Sequence, residues 1–263
     1  MSVLRVYVEG IGLWSPELAD FAALRSLLDG GPLAAPTPRP PASVLPPNER
    51  RRAPASVLLA AEVAAQAVAM SRHEAAELAC VFASAHGDQA ITDDMCATLA
   101  RAPGELSPTR FHNSVHNAAV GYWTIATHCH APSTAVAAQR ASFGAGLLEA
   151  AAQVLAERRP VLLACSDVTG VGPLRTVTGC DAPFGCALVL APERGERSLA
   201  QLDLQLIEPQ PDTALAEPLA SWREHNPSAP ALALLVDLAR DGGRCQLAAS
   251  PTLGLQVTTE NLA

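Results

Sequence analysis

The segment AAQRASFGAG, residues 137–146, lies where a short strand-like run, STAV, turns into a long alanine-rich helix. Such a turn is a common place for a nucleophile, because unpaired backbone N–H groups at a helix N-terminus favour negative charge. The apex holds Gln139 and Arg140, and Ser142 is the predicted N-cap of the helix. None of the seven cysteines lies in the turn. The pattern predicts the architecture of a nucleophile turn with a fixed positive charge in it.

Two serines offer an alternative chemistry, that of a serine hydrolase. A nucleophile elbow has the pattern GxSxG, and neither Ser142 nor Ser166 has it at a strand-to-helix turn. Ser166 and Asp167 end the buried run VLLAC, and open α/β sheets often place functional groups at such strand ends. A polar strand end that satisfies backbone groups in a loop is an equally good interpretation.

Four histidines and a cysteine lie close together in the middle of the sequence and are candidate ligands of a metal ion. They are His112, His116, His128, Cys129 and His130. Imidazole and thiolate are ligands for zinc or iron. However, the first pair lies in an Asn- and Ser-rich loop, and the chain has neither HExxH nor a clear carboxylate partner. We therefore expect neither a metal nor another cofactor.

Composition excludes several classes of protein. The chain has 263 residues, is 49% hydrophobic and carries a net charge of -8, which argues against a nucleic-acid binder. All eighteen basic residues are arginine, so chemistry that needs a lysine is excluded. The run Arg50–Arg52 is interpreted as a solvated helix start. The scattered cysteines predict reduced thiols, and without a signal peptide or a membrane span we expect a cytoplasmic protein.

Hydrophobic strands alternate with helical patterns along most of the chain. This alternation predicts an α/β protein with a largely parallel mixed sheet covered by helices on both faces. Residues 32–54 contain eight prolines and are predicted to be a surface loop. We predict helices over 56–70, 91–101, 118–127 and 142–157. Beyond residue 208 the pattern weakens, and we predict helices over 212–225 and 231–240 followed by two short strands.

Four segments in order resemble β-ketoacyl synthases of the thiolase-like fold. They are VYVEGIGLWSP, CVFASAHGD, SPTRFHNSVHNAAVGYWTIA and LLACSDVTG. The resemblance covers about residues 1–192 and is greatest to short proteins that contain only the N-terminal half, many of which are similar to chain length factors of polyene-pigment systems. It implies one thiolase-like half-domain over 1–263, in which a divergent extension, 209–263, replaces the second half.

Two departures from the family pattern are expected to remove catalysis. The family carries an acyl-accepting cysteine in an Ala-Cys-x-Ser-Gly turn, where this chain has Arg140, or Gln139 in a register shifted by one residue. Active members also supply two histidines from glycine-rich settings in the C-terminal half. After Pro192 this chain has only His225, in neither setting.

The resemblance therefore implies a non-catalytic subunit that pairs with a catalytic ketosynthase, shapes its acyl tunnel and meets an acyl carrier protein through the complex. Neither nucleic acid nor a membrane is an expected partner. Two alternatives remain: an acyltransferase or hydrolase that uses Ser142 or Cys129, and a homodimeric structural or regulatory binding protein.

The expected tunnel and interface residues come from the segments that carry the resemblance. They are Phe111, His112, Asn113, His116, Asn117, Tyr122, Trp123, Gln139, Arg140, Ser142, Phe143 and Asp167. Core packing is an equally good interpretation of Trp123 and Phe143. A buried guanidinium at a helix N-terminus needs a partner. We expect Arg140 to bind backbone carbonyls or a carboxylate, with Asp167 and Glu149 as candidates.

Overall fold

A computed structural model describes residues 3–262. Within these residues the chain forms one sheet of eight strands. The strands are β1 (Leu4–Trp14), β2 (Ala79–Ala83), β3 (Ser133–Val136), β4 (Val161–Asp167), β5 (Phe184–Ala191), β6 (Ala200–Ile207), β7 (Gly243–Ser250) and β8 (Leu253–Asn261).

Ten α-helices connect and cover the strands in the described part of the chain. They are α1 (Phe21–Leu28), α2 (Pro47–Arg52), α3 (Ala55–Ser71), α4 (Gln89–Arg101), α5 (Pro108–Ser114), α6 (Ala118–Thr127), α7 (Ser142–Glu157), α8 (Gly172–Thr178), α9 (Leu219–Glu224) and α10 (Leu232–Ala239).

The strand order is β3-β2-β4-β5-β1-β6-β8-β7. Among the described residues the β3–β2 and β2–β4 pairings are parallel, and the other five pairings are antiparallel. The predicted mixed α/β sheet is confirmed, but the expectation that it is largely parallel is wrong. A buried apolar strand has the same pattern in either direction, so the sequence could not distinguish the two arrangements.

Helices cover both faces of the sheet, as predicted. On one face α3 packs across β1, β4 and β5, around a core that includes Leu59, Val63 and Trp123. On the other face α7 and α10 pack over a larger core that includes Phe143 and Leu235. The apolar residues of α3 surround nearly the whole helix because its sides contact the sheet, α6 and the proline-rich segment.

The proline-rich segment, residues 32–54, is a loop for most of its length but ends in the short helix α2. The run Arg50–Arg52 forms the last turn of α2 rather than the start of a helix, which corrects our interpretation. Cationic side chains are favourable in that turn because backbone carbonyls are unpaired there.

The segment after residue 208 adds strands to the same sheet. β8 pairs along the full length of β6, and β7 pairs with β8 at the sheet edge. The helix predicted over 212–225 is confined to α9, because Pro218 lies inside the predicted range and the helix starts only after it.

No helix between residues 3 and 262 is long and apolar enough to span a membrane. All seven cysteines lie in that range and are free thiols.

Candidate functional site

The strand-to-helix turn forms as the sequence predicts. After β3 the chain makes a single helical turn over Gln139–Ala141, and α7 starts at Ser142. Gln139 has φ 51°, a left-handed conformation that is uncommon for a residue with a side chain. Gln139 and Arg140 are both exposed at the apex. The turn is therefore sharp and open to the surface, but neither apical side chain can form a thioester.

Ser142 closes this turn from the inside. Its hydroxyl donates to the carbonyl of Gln139 (2.6 Å) and accepts from the backbone N–H of Ala138 (3.0 Å). The residue is completely buried, and Ala141 rather than Ser142 is the N-cap. The predicted capping role is therefore wrong: Ser142 is already inside the helix, and its hydroxyl braces the residues that precede it. Both hydrogen bonds tie it to the backbone, and neither involves a general base.

Arg140 reaches across to the C-terminal end of α9. Its guanidinium donates to the carbonyls of Arg223 (2.7 Å) and Glu224 (3.3 Å). We expected Arg140 to bind either backbone carbonyls or a carboxylate, and it binds backbone carbonyls. The guanidinium is not buried, and no carboxylate in the described part of the chain is its partner. Glu149 instead accepts from Gln153, within α7. The positive charge of Arg140 is unfavourable at the N-terminus of α7, because the helix dipole opposes it. The same charge is favourable at the C-terminus of α9, where backbone carbonyls are unpaired.

Asp167 is the centre of a buried polar cluster at the end of β4. Its carboxylate accepts hydrogen bonds from the hydroxyls of Ser84 (2.8 Å) and Ser228 (2.6 Å) and from the backbone N–H groups of Ala85 and His86. Burial raises the pKa of this carboxyl, and the hydrogen bonds oppose that rise. The cluster joins the loop after β2 to the segment that follows α9.

An apolar groove of about 440 Å³ lies on the outer side of α6. We call it the α6 groove. Its lining includes Val115, Tyr122 and Ile125, together with Leu45 of the proline-rich segment. The side chain of Ile125 is 77% exposed, although isoleucine is usually among the most buried residue types. His112 and Asn117 line the same groove.

The remaining predicted site residues divide between surface and core. Phe111 is 57% exposed near the α6 groove, whereas Trp123 and Phe143 are buried in the two cores, where ordinary packing accounts for them. Asn113 is buried and accepts the hydroxyl hydrogen bond of Tyr122 (3.2 Å).

The histidines and Cys129 do not converge on one point. His116 Nε2 lies 3.1 Å from the carbonyl of Val136, at the end of β3. Cys129 is buried and its thiol donates to the carbonyl of Leu78. Among residues 3–262, no group of three or more His, Cys, Asp or Glu side chains is arranged to hold a metal ion.

A profile of the family described as "beta-ketoacyl synthase, N-terminal domain" matches residues 29–247. The chain belongs to this family. The match extends beyond residue 192, where the resemblance read from the sequence ended. A comparison with curated proteins gave no significant match.

Solved ketosynthase structures share the fold of this β-ketoacyl synthase N-terminal domain over nearly its whole length. A chain of the ketosynthase ApeO in complex with its chain length factor ApeC, from Xenorhabdus doucetiae, is 22% identical with a TM-score of 0.70, over 97% of this chain and 99% of that one. A chain of the type II polyketide assembly AntDE:AntF is 12% identical with a TM-score of 0.73, over 99% and 100%. A β-ketoacyl synthase from Burkholderia phymatum is 9% identical with a TM-score of 0.70, over 98% and 100%. The predicted thiolase-like fold is thereby confirmed.

Several residues that build the site were not singled out from the sequence. Ser84, Asn226 and Ser228 surround Asp167, but they come from segments far apart in the chain, and no local pattern connects them. Ile125 could have been found, because a residue two positions after Trp123 lies on the opposite side of a helix.

Proposed function

We propose that this protein is a non-catalytic subunit, similar to a chain length factor, that pairs with a catalytic β-ketoacyl-ACP synthase. The observation that carries the proposal is the intact nucleophile turn with Gln139 and Arg140 at its apex. Acyl transfer through a covalent intermediate needs an activated nucleophile, and neither side chain is one. The sharp strand-to-helix turn is present, and neither side chain at its apex can accept an acyl chain.

The side chains that might replace the lost cysteine are engaged elsewhere. The Ser142 hydroxyl is bonded on both sides to backbone groups, and the Cys129 thiol is buried against a carbonyl. His225 is the one histidine after Pro192, and its Nδ1 lies 2.7 Å from the carbonyl of Ser221. These contacts disfavour an acyltransferase or hydrolase that acts alone. Acylation of the purified chain by an acyl carrier protein would support that alternative.

The edge strand β3 and the adjacent α6 groove form the proposed interface. Within residues 3–262 β3 pairs only with β2, so its outer edge has unpaired backbone groups there, and two of its four residues are exposed. Phe111, Val115 and Ile125 add exposed apolar surface beside it. An open strand edge next to apolar side chains is suited to pairing with a second thiolase-like subunit. A homodimer would use the same surface and is the alternative outcome.

The similarity to a chain from a ketosynthase–chain length factor complex supports a heterodimer in polyketide or fatty-acid-like synthesis, with a polyene pigment as the proposed product class. In this arrangement the α6 groove, whose lining includes His112 and Tyr122, faces the acyl tunnel of the partner. The exposed Phe111 precedes His112 in α5. The acyl carrier protein would deliver its chain to the complex rather than to this subunit alone.

Co-expression with a catalytic ketosynthase from the same organism tests the proposal. We expect a stable 1:1 complex and condensation activity only when both chains are present. A matched pair of variants tests the interface. Ala135→Pro removes an outward N–H of β3, because alternate residues of a parallel edge strand point away from the neighbouring strand. It should abolish the complex, whereas Ala135→Thr should retain it. Full activity of the ketosynthase alone would refute the proposed role.

A further inference from the structure

Three arginines line one small surface cavity in the proline-rich segment. The cavity, of about 220 Å³, is formed by Arg39, Arg50 and Arg51 together with Pro40 and Pro41. We call it the arginine cavity. No carboxylate among the described residues lines it, and none of its arginines has a carboxylate partner in that part of the chain. Three positive charges are thus gathered at one place in a protein whose net charge is -8.

Hydrogen bonds hold the two segments that form the arginine cavity together. The guanidinium of Arg39 donates to the carbonyl of Arg50 (2.9 Å), and that of Arg51 donates to the side chain of Asn48. Both acceptors are neutral, so the repulsion between the three positive charges is not offset. Each guanidinium keeps further N–H donors in a planar fork that suits the oxygens of a phosphate. The cavity therefore has the charge and the donors of a phosphate site.

An open apolar groove of about 390 Å³ adjoins the arginine cavity. We call it the α3 groove. Its floor is made of buried apolar side chains, which include Trp14, Leu58 and Val168, and its rim is exposed to solvent. Arg39 and Pro40 line both the groove and the arginine cavity. An apolar surface therefore continues directly into a cluster of cations.

The acidic side chains nearby do not neutralise these cations. Asp88 lines the α3 groove, but it is buried, and its carboxylate accepts from the hydroxyl of Ser56 (2.9 Å) and from the backbone N–H of Ile91 (3.0 Å). Glu49, the acidic residue of α2, lines the α6 groove instead. The exposed charge at this surface is therefore that of the arginines.

We propose that the α3 groove and the arginine cavity together bind a lipid-like phosphate, which is a linear aliphatic chain joined directly to a phosphate group. The chain lies on the apolar floor, where it is removed from water. The phosphate lies in the arginine cavity, and because Arg39 lines both spaces no polar spacer separates it from the chain. The site shares no lining residue with the α6 groove and goes beyond the proposed function.

Calorimetry of the purified full chain with octyl phosphate tests this proposal. The chain should bind octyl phosphate at least ~10-fold more tightly than inorganic phosphate, because the alkyl chain is buried in the groove. Octyl phosphate that binds no more tightly than inorganic phosphate would overturn the proposal.

A matched pair of double variants tests the role of the arginines. Arg50→Gln/Arg51→Gln should weaken the binding of octyl phosphate by at least ~10-fold, because it removes two charged donors to the phosphate. Arg25→Gln/Arg101→Gln removes two exposed arginines from the last turns of α1 and α4, outside both spaces, and should retain the native affinity. Thermal unfolding shows that both variants are folded. Equal affinities of the two variants overturn the arginine cavity as the phosphate site.

A second pair tests the groove separately from the arginines. Ala90 is exposed on α4 and lines the α3 groove, so Ala90→Trp should weaken the binding of octyl phosphate while leaving that of inorganic phosphate unchanged. Ala97→Trp, also exposed on α4 but outside both spaces, should change neither. Equal binding of octyl phosphate by these two variants overturns the groove as the site of the chain.

A thioester of phosphopantetheine also carries an aliphatic chain and a phosphate, but a long polar arm separates the two groups. Octanoyl-phosphopantetheine should therefore bind more weakly than octyl phosphate. If it bound more tightly, and Arg50→Gln/Arg51→Gln abolished this binding, direct attachment of the phosphate would be wrong. All these measurements use the chain alone. Normal binding by a chain that forms no active complex with a ketosynthase overturns only the proposed function, and an active complex whose chain does not bind octyl phosphate overturns only this site.

Discussion

Asp167 is a carboxylate in the core of the protein whose charge is offset by hydrogen bonds rather than by a cation. It is 1% exposed, and two hydroxyls and two backbone N–H groups donate to it. Its own carbonyl accepts from the amide of Asn226 (2.8 Å). Removal of a side chain that satisfies several buried donors is costly because each is left unpaired. Asp167 therefore holds the loop after β2 and the segment after α9 in one arrangement.

The raised pKa of Asp167 predicts a pH-dependent stability. Burial makes the folded chain hold this proton more tightly than the unfolded chain does. The contribution of Asp167 to the free energy of unfolding is therefore greatest at low pH. This contribution decreases as the pH rises from ~4 through the raised pKa. Asp167→Asn, which cannot titrate, should lower stability by about 1–3 kcal/mol, because its NH2 group faces hydrogen-bond donors.

Urea unfolding of both chains over a pH series measures this effect. The advantage of the native chain over Asp167→Asn should decrease as the pH rises through that range. A constant difference, or one that increases with pH, would show that the carboxyl does not have a raised pKa.

Arg140 should act as a local clamp between the turn and α9. Because the guanidinium is exposed and binds only carbonyls, we expect Arg140→Ala to lower the free energy of unfolding by about 0.5–1 kcal/mol. Hydrogen exchange should increase over 219–231 and remain unchanged in β4. Arg158→Ala, which removes an exposed arginine paired with Glu193, is the matched control. Unchanged exchange over 219–231 in Arg140→Ala would contradict the clamp.

At the scale of elements, local patterns predicted the helices that have a clear apolar period and distinct ends. The prediction for α6, residues 118–127, has the observed bounds, and the prediction for α3 differs by one residue at each end. The prediction missed α5 because its seven residues are mostly polar, although Ser107 caps it and Pro108 starts it. β7 and β8 are longer than predicted, because pairing with neighbouring strands extends them beyond their apolar residues.

The candidate site was predictable only in part, for the same reason. The turn at Gln139 and the absence of a cysteine there could be read directly from one segment. The partner of Arg140 could not, because α9 lies about eighty residues further along the chain. Neither could the hydrogen bond between Ser56 and Asp88, since it depends on how α3 and α4 pack.

The exposed face of α6 can be tested as part of the interface without changing the stability of the chain itself. Ile125→Glu should weaken the complex with the ketosynthase by at least ~10-fold, because it places a charge in an apolar contact. The chain alone should keep its stability, since this side chain is 77% exposed. Val177→Glu is the control: Val177 is 82% exposed on α8 and lies outside the α6 groove. Equal affinities of the two variants, measured by calorimetry, would exclude α6 from the interface.

At the scale of the whole molecule, the segment after residue 208 shares the core of the rest of the chain. β8 contributes Leu255 and Val257, and β7 contributes Cys245 and Leu247, to the same buried cluster as α7 and β4. The backbone of β8 pairs with β6 from Ala200 to Ile207. A segment that supplies two strands and part of a core cannot be a removable appendage.

A chain that ends at residue 208 should therefore fail to fold. Burial of each of Leu247, Leu255 and Val257 contributes about 1.5–3 kcal/mol, and together these approach the ~5–15 kcal/mol that stabilises a typical domain. The truncation also exposes the whole edge of β6, which favours aggregation. Circular dichroism and size-exclusion chromatography should show an unfolded or aggregated chain, whereas a chain that ends at Asn261 should remain folded. If the chain that ends at residue 208 were folded and monomeric, residues 3–208 would form an independent domain. Residues 209–262 would then serve another purpose, such as contact with the carrier protein.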